Sequence, residues 1–99
     1  AELAENQFGD FVKAVVDIKR SIMAVGGELH ADEEAELLKN GSQQQDLWGI
    51  NLYPGEPEEK WIEFDSVINI RPSQNNRSRD VENSEIKEKI KDIVKNLTE

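Results

Sequence analysis

Between Phe11 and Ile18 apolar residues fall at every second position, and no other feature restricts the possible folds of this chain so strongly. Val12, Ala14, Val16 and Ile18 share one side; Lys13 and Asp17 share the other with Phe11 and Val15. Period two in β-branched residues specifies a strand. Further on the period changes. Ala31, Glu34, Ala35, Leu37 and Leu38 repeat as on a helix, and so do Ile86, Ile90, Ile93, Val94 and Leu97. A chain that alternates in one part and spirals in another has to mix strands with helices.

The remaining elements follow from turn chemistry. Residues 22–29 read as a second strand, antiparallel to the first, with Gly26 and Gly27 marking a bulge or a close approach. A helix from His30 to Asn40 stops at Gly41 and carries Asp32, Glu33 and Glu34 in its first turn, where they complement the helix dipole. Residues 47–53 form a third strand with Trp48, Ile50 and Leu52 on its apolar face. Residues 61–71 read as the longest strand, with Ile62, Phe64, Ser66, Ile68 and Ile70 facing one way, and Pro72 ends its pairing. Asn83 caps the last helix. Residues 1–8 look like the last turns of an amphipathic helix stopped by Gly9, so the native chain is expected to begin further upstream. The order is α-β-β-α-β-β-α. It predicts one α+β domain over residues 1–99, a single-layer antiparallel or mixed four-stranded sheet with helices packed on one face.

Composition removes several functional classes. There is no cysteine, which excludes disulfides and thiolate chemistry, and one histidine, which excludes multi-histidine metal sites within a protomer. A net charge of −9 argues against bulk binding to DNA, RNA or anionic membrane. No apolar run approaches a membrane span, so a cytoplasmic location is the default expectation, and no metal site is assigned.

Against that acidic background one stretch stands apart. The chain has four arginines, and three of them, Arg71, Arg77 and Arg79, lie in a window without an acid. That window carries +3, so the rest of the chain sums to −12. Arginine presents a planar fork of donors suited to phosphate and carboxylate oxygens. Ser73, Gln74, Asn75, Asn76 and Ser78 add neutral hydrogen-bonding groups, Asn69 stands beside the loop, and the loop leads into the N-terminus of the last helix. The candidate ligand-binding set is Asn69, Arg71, Ser73, Gln74, Asn76, Arg77 and Arg79, for a phosphorylated or carboxylated small molecule. The competing reading is that the arginines pair with Glu63, Asp65, Asp80 or Glu82 and merely order a long loop. The pattern is neither a Walker loop nor a dinucleotide fingerprint.

Two further groups have the same double reading. His30 and Asp32 suit a proton-moving histidine oriented by a carboxylate, making them the candidate catalytic pair; equally, they suit a helix start. Glu63 and Asp65, two apart on one strand, suit acid–base work or a cation beside a phosphate; equally, they suit a solvated face. Whether the protein is an enzyme stays open, as does any cofactor. The alternative class is an interaction module, in which strand edges, the Trp61 face and the acidic surface serve a homodimer or a basic partner.

The runs Val12-Lys13-Ala14-Val15-Val16-Asp17-Ile18, Glu28-Leu29-His30-Ala31-Asp32, Asp46-Leu47-Trp48-Gly49-Ile50-Asn51 and Ile68-Asn69-Ile70-Arg71-Pro72-Ser73-Gln74 resemble a family of short prokaryotic proteins known as a domain of unknown function. The resemblance spans nearly the whole chain. It implies an extra strand and most of a helix ahead of Ala1, and glycine where Asn75 stands. Asparagine tolerates left-handed backbone, which would preserve the loop's shape. The resemblance implies no activity.

Overall fold

The computed structural model describes residues 11–53, 55–57 and 60–98; the helical turns expected over residues 1–8 lie outside the described residues. Strands β1 (Val12–Asp17), β2 (Ile22–Val25), β3 (Leu47–Leu52) and β4 (Ile62–Glu63) form one sheet in the order β2-β1-β3-β4. Every pairing is antiparallel, with Val16 opposite Trp48 and Ala14 opposite Ile50 in the central pair. Helix α1 spans His30–Lys39 and helix α2 spans Ser84–Thr98. The α+β class, the four strands and their antiparallel pairing agree with the sequence reading.

The helices, however, divide between the two faces of the sheet. Ala14, Val16, Trp48, Ile50 and Leu52 pack with Ile90, Ile93 and Val94 of α2. Val15 and Leu47, on the opposite side of the pleat, pack with Leu37 of α1. β1 therefore buries consecutive residues, Val15 and Val16, on both faces. Each such aliphatic side chain withdrawn from water contributes about 1.5–3 kcal/mol. Helices on one face alone would leave Val15 and Leu47 in water.

Local signals hold each element in place. The Asn83 side chain accepts from the backbone N–H of Glu85 and Ile86 at 2.8 and 3.1 Å, capping α2. Gly41, at φ +100°, follows the C-terminus of α1 in the left-handed backbone that suits glycine. In the β1–β2 turn the buried Asp17 carboxylate accepts from the N–H of Lys19 and Arg20 and from the Ser42 hydroxyl at 2.6 Å.

The long fourth strand expected over residues 61–71 is not formed. β4 pairs for two residues, after which Val67–Asn69 turns as a 3-10 helix capped by Ser66, whose hydroxyl accepts from Ile68 N–H. Two features of β3 explain this. A Cβ on Gly49 would lie 2.6 Å from Ser66 Cβ, so its absence lets the turn settle directly on the strand. The Asn69 side chain then bonds the same glycine's peptide groups, its Oδ1 accepting from Gly49 N–H at 2.8 Å and its Nδ2 donating to Gly49 O at 2.9 Å. A side-chain amide thus continues the sheet where backbone does not. Asn69→Ala should cost about 3 kcal/mol, since it leaves buried peptide groups unpaired. Urea unfolding will show it as a lower midpoint.

Candidate functional site

The arginine-rich loop is built around two asparagines. Asn69 Nδ2 also donates to Arg79 O at 2.9 Å, tying the far end of the loop to its base. Asn76 is buried inside the loop. Its Nδ2 donates to Asn69 O at 2.7 Å and Asp80 O at 2.7 Å, with Ser78 O at 3.2 Å, and its Oδ1 accepts from Glu82 N–H at 2.8 Å. The backbones of Arg71 and Asn76 bond each other in both directions. Between them Pro72–Gln74 makes a 3-10 turn, and Asn75 takes the left-handed backbone at φ 61°. The asparagine at this position therefore adopts the conformation a glycine would supply.

The seven expected ligand residues separate into two groups on this frame. Asn69, Arg71 and Asn76 are buried, with their side chains engaged by protein groups. The Arg71 guanidinium donates to Leu47 O, lies 4.9 Å from the Trp48 ring centre and stands 3.6 Å from Glu34 Oε2. Burial draws its pKa below the ordinary value, and Glu34 opposes that. Ser73, Gln74, Arg77 and Arg79 are exposed. Gln74 Nε2 anchors to Gln45 O at 3.1 Å, and Arg79 Nε donates to Asp65 Oδ1 at 2.6 Å.

One carboxylate already occupies the loop's donors. Glu82 Oε2 accepts from Arg77 N–H and Ser78 N–H, each at 2.8 Å, and from the Ser78 hydroxyl at 2.9 Å. These bonds hold the Glu82 carboxyl below its ordinary pKa, the hydroxyl first, then the two N–H groups, with the Arg77 charge adding to them. Three donors thus converge on one carboxylate oxygen that belongs to the chain itself.

His30 lies elsewhere on α1. Its Nε2 is 2.7 Å from Ile50 O. A carbonyl only accepts, so Nε2 carries the proton and Nδ1 of the neutral ring is the acceptor. Desolvation lowers its pKa and Lys13 adds to that; the Ile50 carbonyl, Asn51 and Asp65 act the other way. Asp32 is exposed and makes no hydrogen bond or ion pair with His30. The catalytic pair expected from the sequence is thus not brought together. Asn51 instead bears on His30, and Asn51 Nδ2 and Tyr53 OH both donate to Glu63 Oε1, at 2.9 and 3.0 Å. Asn51 was not singled out in the sequence, and its signal was a polar residue within an otherwise apolar strand. Asp65 bears electrostatically on His30 and binds Arg79, and so connects this group to the loop.

Helix α1 also carries a buried acid. Glu33 is 4% exposed and accepts from Gly27 N–H at 3.1 Å. A Cβ on Gly27 would sit 2.8 Å from Glu33 Cγ, which accounts for the glycine. Among the described residues no group of three His, Asp or Glu side chains is placed to hold a metal ion, and no helix is long and apolar enough to cross a membrane.

A family model described as "Protein of unknown function (DUF5674)" matches residues 1–97. No curated protein and no solved structure matches the chain.

Desolvation raises the Glu33 carboxyl from 4.5 to about 7, against the pull of Gly27 N–H and Lys13 and with a push from Asp32. The folded protein therefore holds a proton that the unfolded chain releases near pH 4.5. Stability contributed by this group is present in acid and is lost as pH rises to about 7, by on the order of 3 kcal/mol. Unfolding free energies measured from pH 4 to 8 should carry that decline in the native protein and lose it in Glu33→Gln.

Proposed function

The chain belongs to this family of unknown function, and we propose that it is a small binding domain for an oxyanion, the phosphate or carboxylate of a small molecule, received by residues 76–82. The supporting observation is the convergence of Arg77 N–H, Ser78 N–H and the Ser78 hydroxyl on a single carboxylate oxygen. Backbone donors fixed in that arrangement stabilise a negative oxygen without the cost of reorganising. The exposed Arg77 side chain supplies the accompanying positive charge, and Arg79 lies in the same loop with its charge shared by Asp65.

On this reading the three arginines have unequal parts. Arg71 is a framework residue, because its buried guanidinium donates through Nη2 to Leu47 O and lies against the Trp48 ring and Glu34, while Nε and Nη1 make no hydrogen bond among the described residues. Arg77 is the ligand residue. Ser73 borders the loop at its exposed rim, and Asn69 and Asn76 hold the frame that presents the donors.

The test is a pair of alanine substitutions followed by two measurements, phosphate-induced shifts in ¹H–¹⁵N spectra and urea unfolding. Arg77→Ala should abolish saturable shifts at residues 77 and 78 while leaving the unfolding midpoint near that of the native protein. Arg71→Ala should lower stability by roughly 2–3 kcal/mol, through the unpaired Leu47 carbonyl and the partly buried Glu34 left without a cation. Loss of fold in Arg77→Ala, or unaltered phosphate shifts, would overturn the assignment.

A further inference from the structure

The bond set around Glu82 raises the question of whether its carboxylate orders the loop or occupies a place meant for something else. If it were the staple, the loop would depend on it. The staple is instead Asn76. Its amide binds the carbonyls of Asn69, Ser78 and Asp80 and receives the backbone N–H of Glu82, all without the Glu82 side chain. Asn69 holds Arg79 O, and the backbone of Ser66 donates to the same carbonyl at 3.0 Å. Val81, fully buried, anchors the end of the loop in the core beneath α2. The N–H groups of Arg77 and Ser78 are therefore positioned by the frame, and the Glu82 side chain is a separable arm lying across them. That arm is exposed to solvent, so lifting it off these donors requires no buried group to move.

We propose that Glu82 is a built-in competitor for the oxyanion site, and that a ligand enters by displacing its carboxylate from Arg77 N–H, Ser78 N–H and the Ser78 hydroxyl. This rests on the binding reading above and adds regulation to it. A tethered carboxylate excludes weakly held anions, and only a ligand whose remaining contacts outweigh the exchange is retained. Once released, Glu82 presents a free negative charge beside Arg77. The bound state therefore favours a ligand that itself shields that pair, such as one carrying a hydroxyl or ammonium group next to its anion.

The native protein, Glu82→Ala and Glu82→Gln are to be titrated with inorganic phosphate and, separately, with acetate, following the amide signals of Arg77 and Ser78. Glu82→Ala should bind about tenfold more tightly than the native protein, the scale expected on removing a charge-assisted competitor. Glu82→Gln, which keeps the shape and loses the charge, should fall between. The phosphate and acetate arms decide which oxyanion class the site prefers. Equal affinities in all three proteins would overturn the competitor and leave the binding reading standing. Absence of saturable shifts in every protein would remove both. An independent readout is acid titration of the native protein, in which the Arg77 and Ser78 amide signals should move together as the Glu82 carboxyl protonates. Static signals would mean that the carboxylate does not occupy those donors in solution, and would overturn the proposal on their own.

Discussion

The side-chain amide of Asn69 on the peptide of Gly49 is the contact from which the second half of the chain takes its form. β4 pairs with β3 only opposite Asn51 and Leu52. Below that point β3 presents buried N–H and C=O groups that need partners, because an unpaired polar group in the interior costs more than a made bond returns. Asn69 supplies a donor and an acceptor at the spacing of a peptide. Its second N–H takes Arg79 O, so one amide joins β3, the turn after β4 and the end of the loop. The arrangement requires glycine on the strand, since Ser66 fills the space where a Cβ would be.

Asn76 repeats the device one level further out. Asn69 builds the base of the loop from outside, and Asn76 fills it from inside, binding four backbone groups with one side chain. The consequence is a division of labour. A loop stapled through its backbone does not need its charged side chains for shape, so Arg77 and Glu82 stand on its rim with no buried role. Rigid backbone below and exposed charge above is the arrangement in which loop residues are able to serve binding.

How much of this could be read from the sequence depended on periodicity. β1, β3 and α2 were legible because Val12–Ile18, Leu47–Leu52 and the Ile86–Val94 stripe repeat at the spacing of their elements. The strand expected over residues 61–71 alternates equally well, yet the chain curls after Glu63. Ser66 and Asn69 satisfy backbone groups with side chains, and that competition leaves no trace in a hydrophobic pattern. Gly49 inside an apolar strand was the visible hint that this turn comes close to β3. The placement of the helices was missed because β1 was read by its richer face, whereas Val15 beside Val16 signals cover on both. His30 and Asp32 were paired by proximity in sequence, but residues two apart on a helix point in different directions. Within the loop, the asparagines at 69, 75 and 76 look alike as letters; only the structure separates the two that build the frame from the one that turns the backbone.

Charge bears on function in a way that the raw count of arginines conceals. The +3 window faces acids drawn from three other parts of the chain: Glu34 stands by Arg71, Asp65 holds Arg79, and Glu82 lies over the amides of Arg77 and Ser78. The positive surplus shrinks to the Arg77 side chain, on a protein whose net charge is −9. Long-range attraction therefore does little to gather anions here, and beyond about 10 Å it is screened in any case. What holds the Glu82 carboxylate at this loop acts at bonding distance, through N–H and O–H groups. The position of a single terminal oxygen, more than total charge, decides what meets these donors, and the exposed Glu82 carboxylate on its flexible stem is the group that meets them here.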